Sequence, residues 1–316
     1  MASHTDALNH TTSFAYDTQG NVIRITDPLG HQSTFTYNAA GQPLTAASPA
    51  NEQTSFLYDL GDLIQVTDPL GHATYRFLDG AGRLALLTDP LGQRTRFDYD
   101  ALDRVTQVTD ALGGVTALAY DPNGNLLSLA DPAGSVTQWG YDDKNRVVSR
   151  TDPLGKTETF QYDGLDHLTK ASDRKGQVAT FSYDALGRRT QVLFADGSLT
   201  YSYDAGNRLI EIADSQRGTI TRPYDELDRL VSETTPQGAV SYAYDAAGRR
   251  TSMMVMGQPE VTYSYDAADR LIQITQGAAL VSFTYDAASR RTSLILPNGL
   301  VLSYTYDSAS ELTGLT

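Results

Sequence analysis

The sequence predicts an all-β fold: a tandem array of β-hairpins joined into one continuous antiparallel sheet that curls or spirals. Three observations carry this. A tyrosine recurs every 20 or 21 residues with one gap, a second aromatic stands two positions before nearly every one of these tyrosines, and turn-forming residues separate the short apolar runs.

The recurring tyrosines are Tyr16, Tyr37, Tyr58, Tyr99, Tyr120, Tyr141, Tyr162, Tyr183, Tyr203, Tyr224, Tyr244, Tyr265, Tyr285 and Tyr306. Asp follows each of them, replaced once by Asn38. In the gap between Tyr58 and Tyr99, Leu78 takes the tyrosine place, or Phe77 does with one residue of slippage before Asp79, which makes about fifteen units. The second aromatic is Phe14 or Phe35 in the first units, Trp139 in a middle one and Tyr201 or Tyr263 later; Leu118 and Arg222 are the exceptions. Strand side chains alternate with period two, so an aromatic-x-Tyr spacing puts both rings on one face.

Four residues after the tyrosine stand Gly, Asp, Asn or Ser, as at Gly20, Gly41, Asp62, Asp103, Gly124, Asn145, Gly187, Asn207 and Ser289. Most of these tolerate the left-handed backbone of a turn. An apolar run follows, such as Val22 to Ile25 or Leu84 to Leu87, too short for a typical helix and read as the next strand. That strand ends in Asp27-Pro28-Leu29-Gly30, repeated at Asp68, Asp89 and Asp152, an order suited to a type I turn. The slot drifts later to Ala195-Asp196-Gly197, Pro236-Gln237-Gly238 and Pro297-Asn298-Gly299. Residues 1–12 are expected to form a disordered leader, and 13–316 a hairpin array truncated at its C-terminus, because the chain stops a few residues into the unit begun by Tyr306.

Composition narrows the function classes. A net charge of −14 makes nucleic acid an unsuitable partner, and no cysteine is present for disulfides or thiolate metal sites. No apolar segment approaches the length of a membrane span, and the first residues lack the pattern of a secretory signal.

The unit Tyr183-Asp184-Ala185-Leu186-Gly187-Arg188, together with Asp152-Pro153-Leu154-Gly155 and Phe160-Gln161-Tyr162, resembles the Rhs or YD repeat, and the resemblance covers almost the whole chain. Proteins of this kind include bacterial Rhs polymorphic toxins, the B and C components of Tc toxins, wall-associated proteins and teneurins. The resemblance implies a β-sheet spiralling into a hollow shell that, in the toxins, encloses a variable C-terminal toxin. It further implies a secreted or cell-surface protein whose partners are that cargo or neighbouring shell segments. The aspartate protease cap of such toxins is not recognisable here.

Candidate chemistry is sparse. The Asp residues recur in turns, whereas a catalytic site needs a unique cluster, so no catalytic residue, cofactor or metal is expected and the chain is read as no enzyme. His4, His10, His31, His72 and His167 lack metal-ligand spacing. Arg83, Arg104, Arg146, Arg188 and their equivalents stand five residues past the tyrosine, where pairing with the turn Asp is expected. Lys144, Lys156, Lys170 and Lys175, all within two units, form one locally basic stretch that with Trp139 makes a possible partner contact. Met253, Met254 and Met256 suit an adaptable apolar surface. Two functions follow: a shell segment enclosing cargo, or an extracellular module binding a glycan or receptor through its aromatic residues.

Overall fold

An aspartate heads most of the five-residue loops, and its carboxylate builds the turn. In Asp27–His31 it accepts the backbone N–H groups of Leu29 (2.9 Å) and His31 (2.8 Å). The Gly30 N–H returns to the Asp27 carbonyl at 3.0 Å, with Gly30 at φ 86°. The loop after the tyrosine is built the same way: the Asp17 carboxylate accepts from Gln19 and Asn21, both at 2.9 Å, and Gly20 lies at φ 91°. Both edges of the ribbon are thus closed by one design, a type I turn followed by a left-handed residue.

The left-handed residue is the one the sequence marks at Gly20, Gly41, Asp103, Gly124, Asn145, Gly187, Asn207 and Ser289. Asp62 is the exception. Leu60 (φ 49°) and Gly61 (φ 96°) make a two-residue turn, and Asp62 opens the strand Asp62–Thr67 opposite Asp59. Gly61 supplies the left-handed backbone one residue early and releases Asp62 from it.

At Gly134 the backbone lies at φ +80° and an added Cβ would meet nothing within 4 Å, so only torsion opposes substitution. Gly134→Val is expected to cost about 1–3 kcal/mol by thermal melting. Gly134→Asn is expected to cost much less, since Asn51 holds the equivalent slot at φ 61°.

The structure, a computed structural model, describes residues 2–316 and contains 31 strands and no helix among them. Among the described residues no helix is long and apolar enough to cross a membrane. The chain divides into two compact units, one made of the chain up to Arg76 with Gly238–Thr316, the other of Phe77–Gln237. Within each, consecutive strands pair antiparallel: Thr11–Tyr16 with Val22–Thr26, and that strand with Gln32–Tyr37. In the second unit Arg94–Tyr99 pairs with Val105–Thr109, and so on along the chain.

The expected disordered leader is instead a strand. Ala2–Thr5 pairs with Thr11–Tyr16 in a register running from Ala2 opposite Phe14 to Thr5 opposite Thr11. The Asp6 carboxylate accepts from Leu8 and His10, both at 2.8 Å, so residues 6–10 form the same aspartate loop as 27–31. No tyrosine precedes this loop, so the tyrosine spacing does not mark it; Met1 lies outside the described residues. Leu78, half-buried and directly before the Asp79 loop, takes the tyrosine place, while Phe77 is 53% exposed.

Nearly every tyrosine hairpin carries a β-bulge. Tyr16 faces Val22 while Ala15 faces Arg24, so Ile23 is left over; Leu44 and Leu127 are left over in the same way. The bulge resets the alternation, so that Val22 and Ile25, three residues apart, both join the aromatic face. Phe14 lies opposite Ile25, Phe56 opposite Val66, Phe97 opposite Val108 and Tyr201 opposite Ile212. The other face is mostly small and polar, with Thr36 opposite Thr45 and Thr159 opposite Ser172. Among the described residues only Val192, 3% exposed, is buried. The aromatic face is half-buried by its own neighbours, and the fold has no two-sided core.

Candidate functional site

An arginine follows most of the left-handed residues of the tyrosine edge and turns that edge into a ladder. Arg104 Nε donates to the Asp100 carboxylate of its own loop at 2.7 Å and Nη1 to the Asp121 carbonyl of the next loop at 2.7 Å. Its guanidinium lies 4.8 Å from the centre of the Tyr120 ring. Arg83, Arg146, Arg208 and Arg249 add a 2.6 Å contact to the carboxylate at the left-handed position of the next loop, Asp103, Asp166, Asp228 and Asp269 respectively. The expected local pairing is present, and Arg188, Arg270 and Arg290 bridge to the following hairpin as well. His167 stands in one arginine place, bonded to Asp163 at 3.0 Å and stacked on Tyr183 with ring centroids 4.7 Å apart.

The tyrosines clamp hairpins together through their hydroxyls. Tyr99 donates to the Leu84 carbonyl at 2.8 Å, Tyr120 to Val105 at 2.9 Å, Tyr162 to Val147 at 2.9 Å and Tyr183 to Leu168 at 2.9 Å. Tyr37, Tyr141, Tyr203, Tyr224, Tyr265, Tyr285 and Tyr306 do the same to a carbonyl 14 or 15 residues upstream. Tyr162→Phe is expected to cost about 1 kcal/mol in thermal melting, the net worth of one hydrogen bond.

Hydrogen bonding by arginine holds the loop carboxyls of Asp79, Asp142 and Asp184 below their ordinary range, and Asn21 and Asn125 do so for Asp17 and Asp121. A carboxyl whose folded pKa is depressed stabilises the fold above its unfolded value and loses that contribution as pH falls through the folded value. The melting temperature is therefore expected to drop progressively below about pH 4, as read by calorimetry across a pH series.

The four lysines do not form one patch. Lys144 sits on the tyrosine edge, its Nζ 3.0 Å from Asp166, whereas Lys156 and Lys175 are exposed in loops of the opposite, proline-bearing edge. Lys170 lies mid-strand on the polar face opposite Gln161. Trp139 is half-buried on the aromatic face opposite Arg150. Met253 joins that face opposite Tyr242, while Met254, opposite Ser241, points to the polar one.

Sequence spacing missed a seam between remote hairpins of the first unit. Arg290 donates to the Glu52 carboxylate as well as to Asp286, and Ser310 donates to Glu52 at 3.2 Å. Asp6, His10 and Asp269 also converge, with ligand-type atoms within 4.8 Å of one another. Asp6 is engaged with His10 at 3.2 Å and Asp269 with Arg249, so these groups form part of a polar network along the seam. In the second unit, where the proline turn is lost, Phe194, Leu199, Asp214 and Arg217 line a cleft of about 440 Å³.

The RHS Repeat family matches ten overlapping stretches, from residues 2–32 and 16–53 to 224–255 and 265–301. No curated protein matches the chain in sequence. Among solved structures, the Photorhabdus luminescens Tc holotoxin pore superposes with a TM-score of 0.80 at 17% identity, over 96% of this chain and 20% of that one. The TcdB2-TccC3-Cdc42 structure superposes at 0.65 and 15% identity, over 95% of this chain and 22% of that one. TcdB2-TccC3 without its hypervariable C-terminal region gives 0.65 and 15%, over 96% and 22%. At these identities the likeness is one of fold, and the chain spans about one fifth of the solved chains it matches.

Proposed function

Because the chain belongs to the RHS repeat family, we propose that it is a wall segment whose aromatic face encloses a polypeptide cargo, a toxin in the manner of the Tc assemblies whose fold it shares. The observation that carries this reading is the single-layer sheet. One face is lined mainly with Phe, Tyr, Val, Leu and Ile, yet only Val192 among the described residues reaches core burial. A half-buried apolar face of this extent suits contact with exposed apolar segments of an unfolded or partly folded chain. The turns and the arginine ladder hold the wall without a core, and the loop carboxylates are consumed in that task, which leaves them no part in turnover. The work is enclosure, carried out by a protein that acts outside the cell that makes it.

The test is to co-express the repeats with the polypeptide encoded beside them in the native gene and to follow limited proteolysis of that cargo. Protection only when the repeats are present is the expected result. Complete cleavage of the cargo beside an intact repeat array would overturn the reading.

A further inference from the structure

In the first unit a proline-bearing edge already lies against a tyrosine edge. Glu52, closing a loop of the former, meets Arg290 and Ser310 on the latter. The tyrosine-edge loops met there carry small tips, Ala268, Ala288 and Ala309, all half-buried.

In the second unit the same two edges are bare. At the tips of its proline-edge loops Leu91 is 82%, Leu112 98% and Leu154 85% exposed. On its tyrosine edge Leu165 is 78%, Leu186 71% and Leu227 67% exposed. The turn does not require leucine at this slot. Its backbone N–H bonds the loop aspartate whichever side chain follows, as Ala133 and Lys175 do at the same position. Consecutive hairpins repeat at about 10 Å, twice the strand spacing, so each edge presents a row of apolar tips.

Both rows carry exposed charge: Lys156 and Lys175 stand on the proline edge beside Asp173, and Asp166 and Asp228, 61% and 78% exposed and each paired with an arginine of its own edge, stand on the tyrosine edge. We propose that the Leu91, Leu112 and Leu154 edge docks on the Leu165, Leu186 and Leu227 edge of a second copy of this chain. The contact extends to two molecules the edge-on-edge packing that the chain makes between its own remote hairpins. It pairs unlike surfaces, so it is head-to-tail and can continue into longer assemblies. It does not depend on enclosure of a cargo.

Sedimentation velocity of the intact chain from about 1 to 100 µM tests this. Wild-type protein is expected to shift to heavier species with concentration. L91S/L112S/L154S and L165S/L186S/L227S are each expected to stay monomeric with unchanged melting curves. Mixing these two variants is expected to restore dimers and nothing larger, because each retains one working edge. K156E/K175E, which leaves the leucines in place, is expected to weaken association by about tenfold. A wild-type chain that stays monomeric throughout, or leucine variants that associate as wild type does, would overturn the proposal.

Discussion

Val192→Asp is expected to destabilise the Phe77–Gln237 unit by on the order of 4 kcal/mol, the loss reserved for an unpaired charge placed in a buried site. Val192 is 3% exposed and lies across from Phe181 on one side and Leu199 on the other. The guanidinium of Arg189 is held over the Phe181 ring, 4.8 Å from its centre. In a repeat array each hairpin is stabilised by its neighbours, so failure at one is expected to spread to those beside it. Two controls separate burial from charge. Val192→Ala, which removes two methyl groups, is expected to cost about 1.6 kcal/mol. Ser182→Asp, on the exposed face opposite Gln191, is expected to stay within about 0.5 kcal/mol of wild type. Thermal melts of the three variants decide the matter, and equal losses at 182 and 192 would show that the two faces do not differ as described.

Glu52→Lys is the second large effect, expected to cost about 2 kcal/mol and to loosen the first unit. The side chains of Glu52 and Arg290 are 11% and 18% exposed, so the ion pair is largely shielded from water. Removing one partner from a buried pair typically costs about 3–5 kcal/mol. The smaller figure reflects Asp286, which still accepts from Arg290 at 2.7 Å and compensates part of its charge. A lysine at 52 also sets a like charge beside the guanidinium. The readout is the rate of limited proteolysis within residues 2–76 and 238–316, alongside the melting midpoint. A cycle of Glu52→Gln and Arg290→Met isolates the coupling; additive single losses would mean that the seam contact contributes nothing to stability.

Much of this architecture was readable one loop at a time. Asp at the first loop position and Gly, Asn or Asp at the fourth act within five residues, so the turns, the hairpins and the aromatic face follow from local chemistry. The bulge was present in the sequence as well, as apolar residues three apart in Val22 and Ile25 or Leu126 and Leu129, a spacing that plain alternation forbids. The first hairpin was missed because its loop at Asp6 follows no tyrosine, although Asp6-Ala7-Leu8-Asn9-His10 carries the loop pattern itself. The lysines are dispersed for a geometric reason. Lys144 and Lys156 are close in sequence, but one strand lies between their loops, and a strand carries the chain from one edge of the ribbon to the other.

By itself, then, the sequence determined the hairpin, the two faces and the family, since each rests on contacts between residues adjacent in the chain or in the neighbouring hairpin. Only the tertiary structure decided which edge meets which. The Glu52 to Arg290 pair spans 238 positions, and the convergence of Asp6, His10 and Asp269 spans more. Such contacts depend on where a long sheet brings remote loops, which is set by small twists summed over many strands and written in no single repeat.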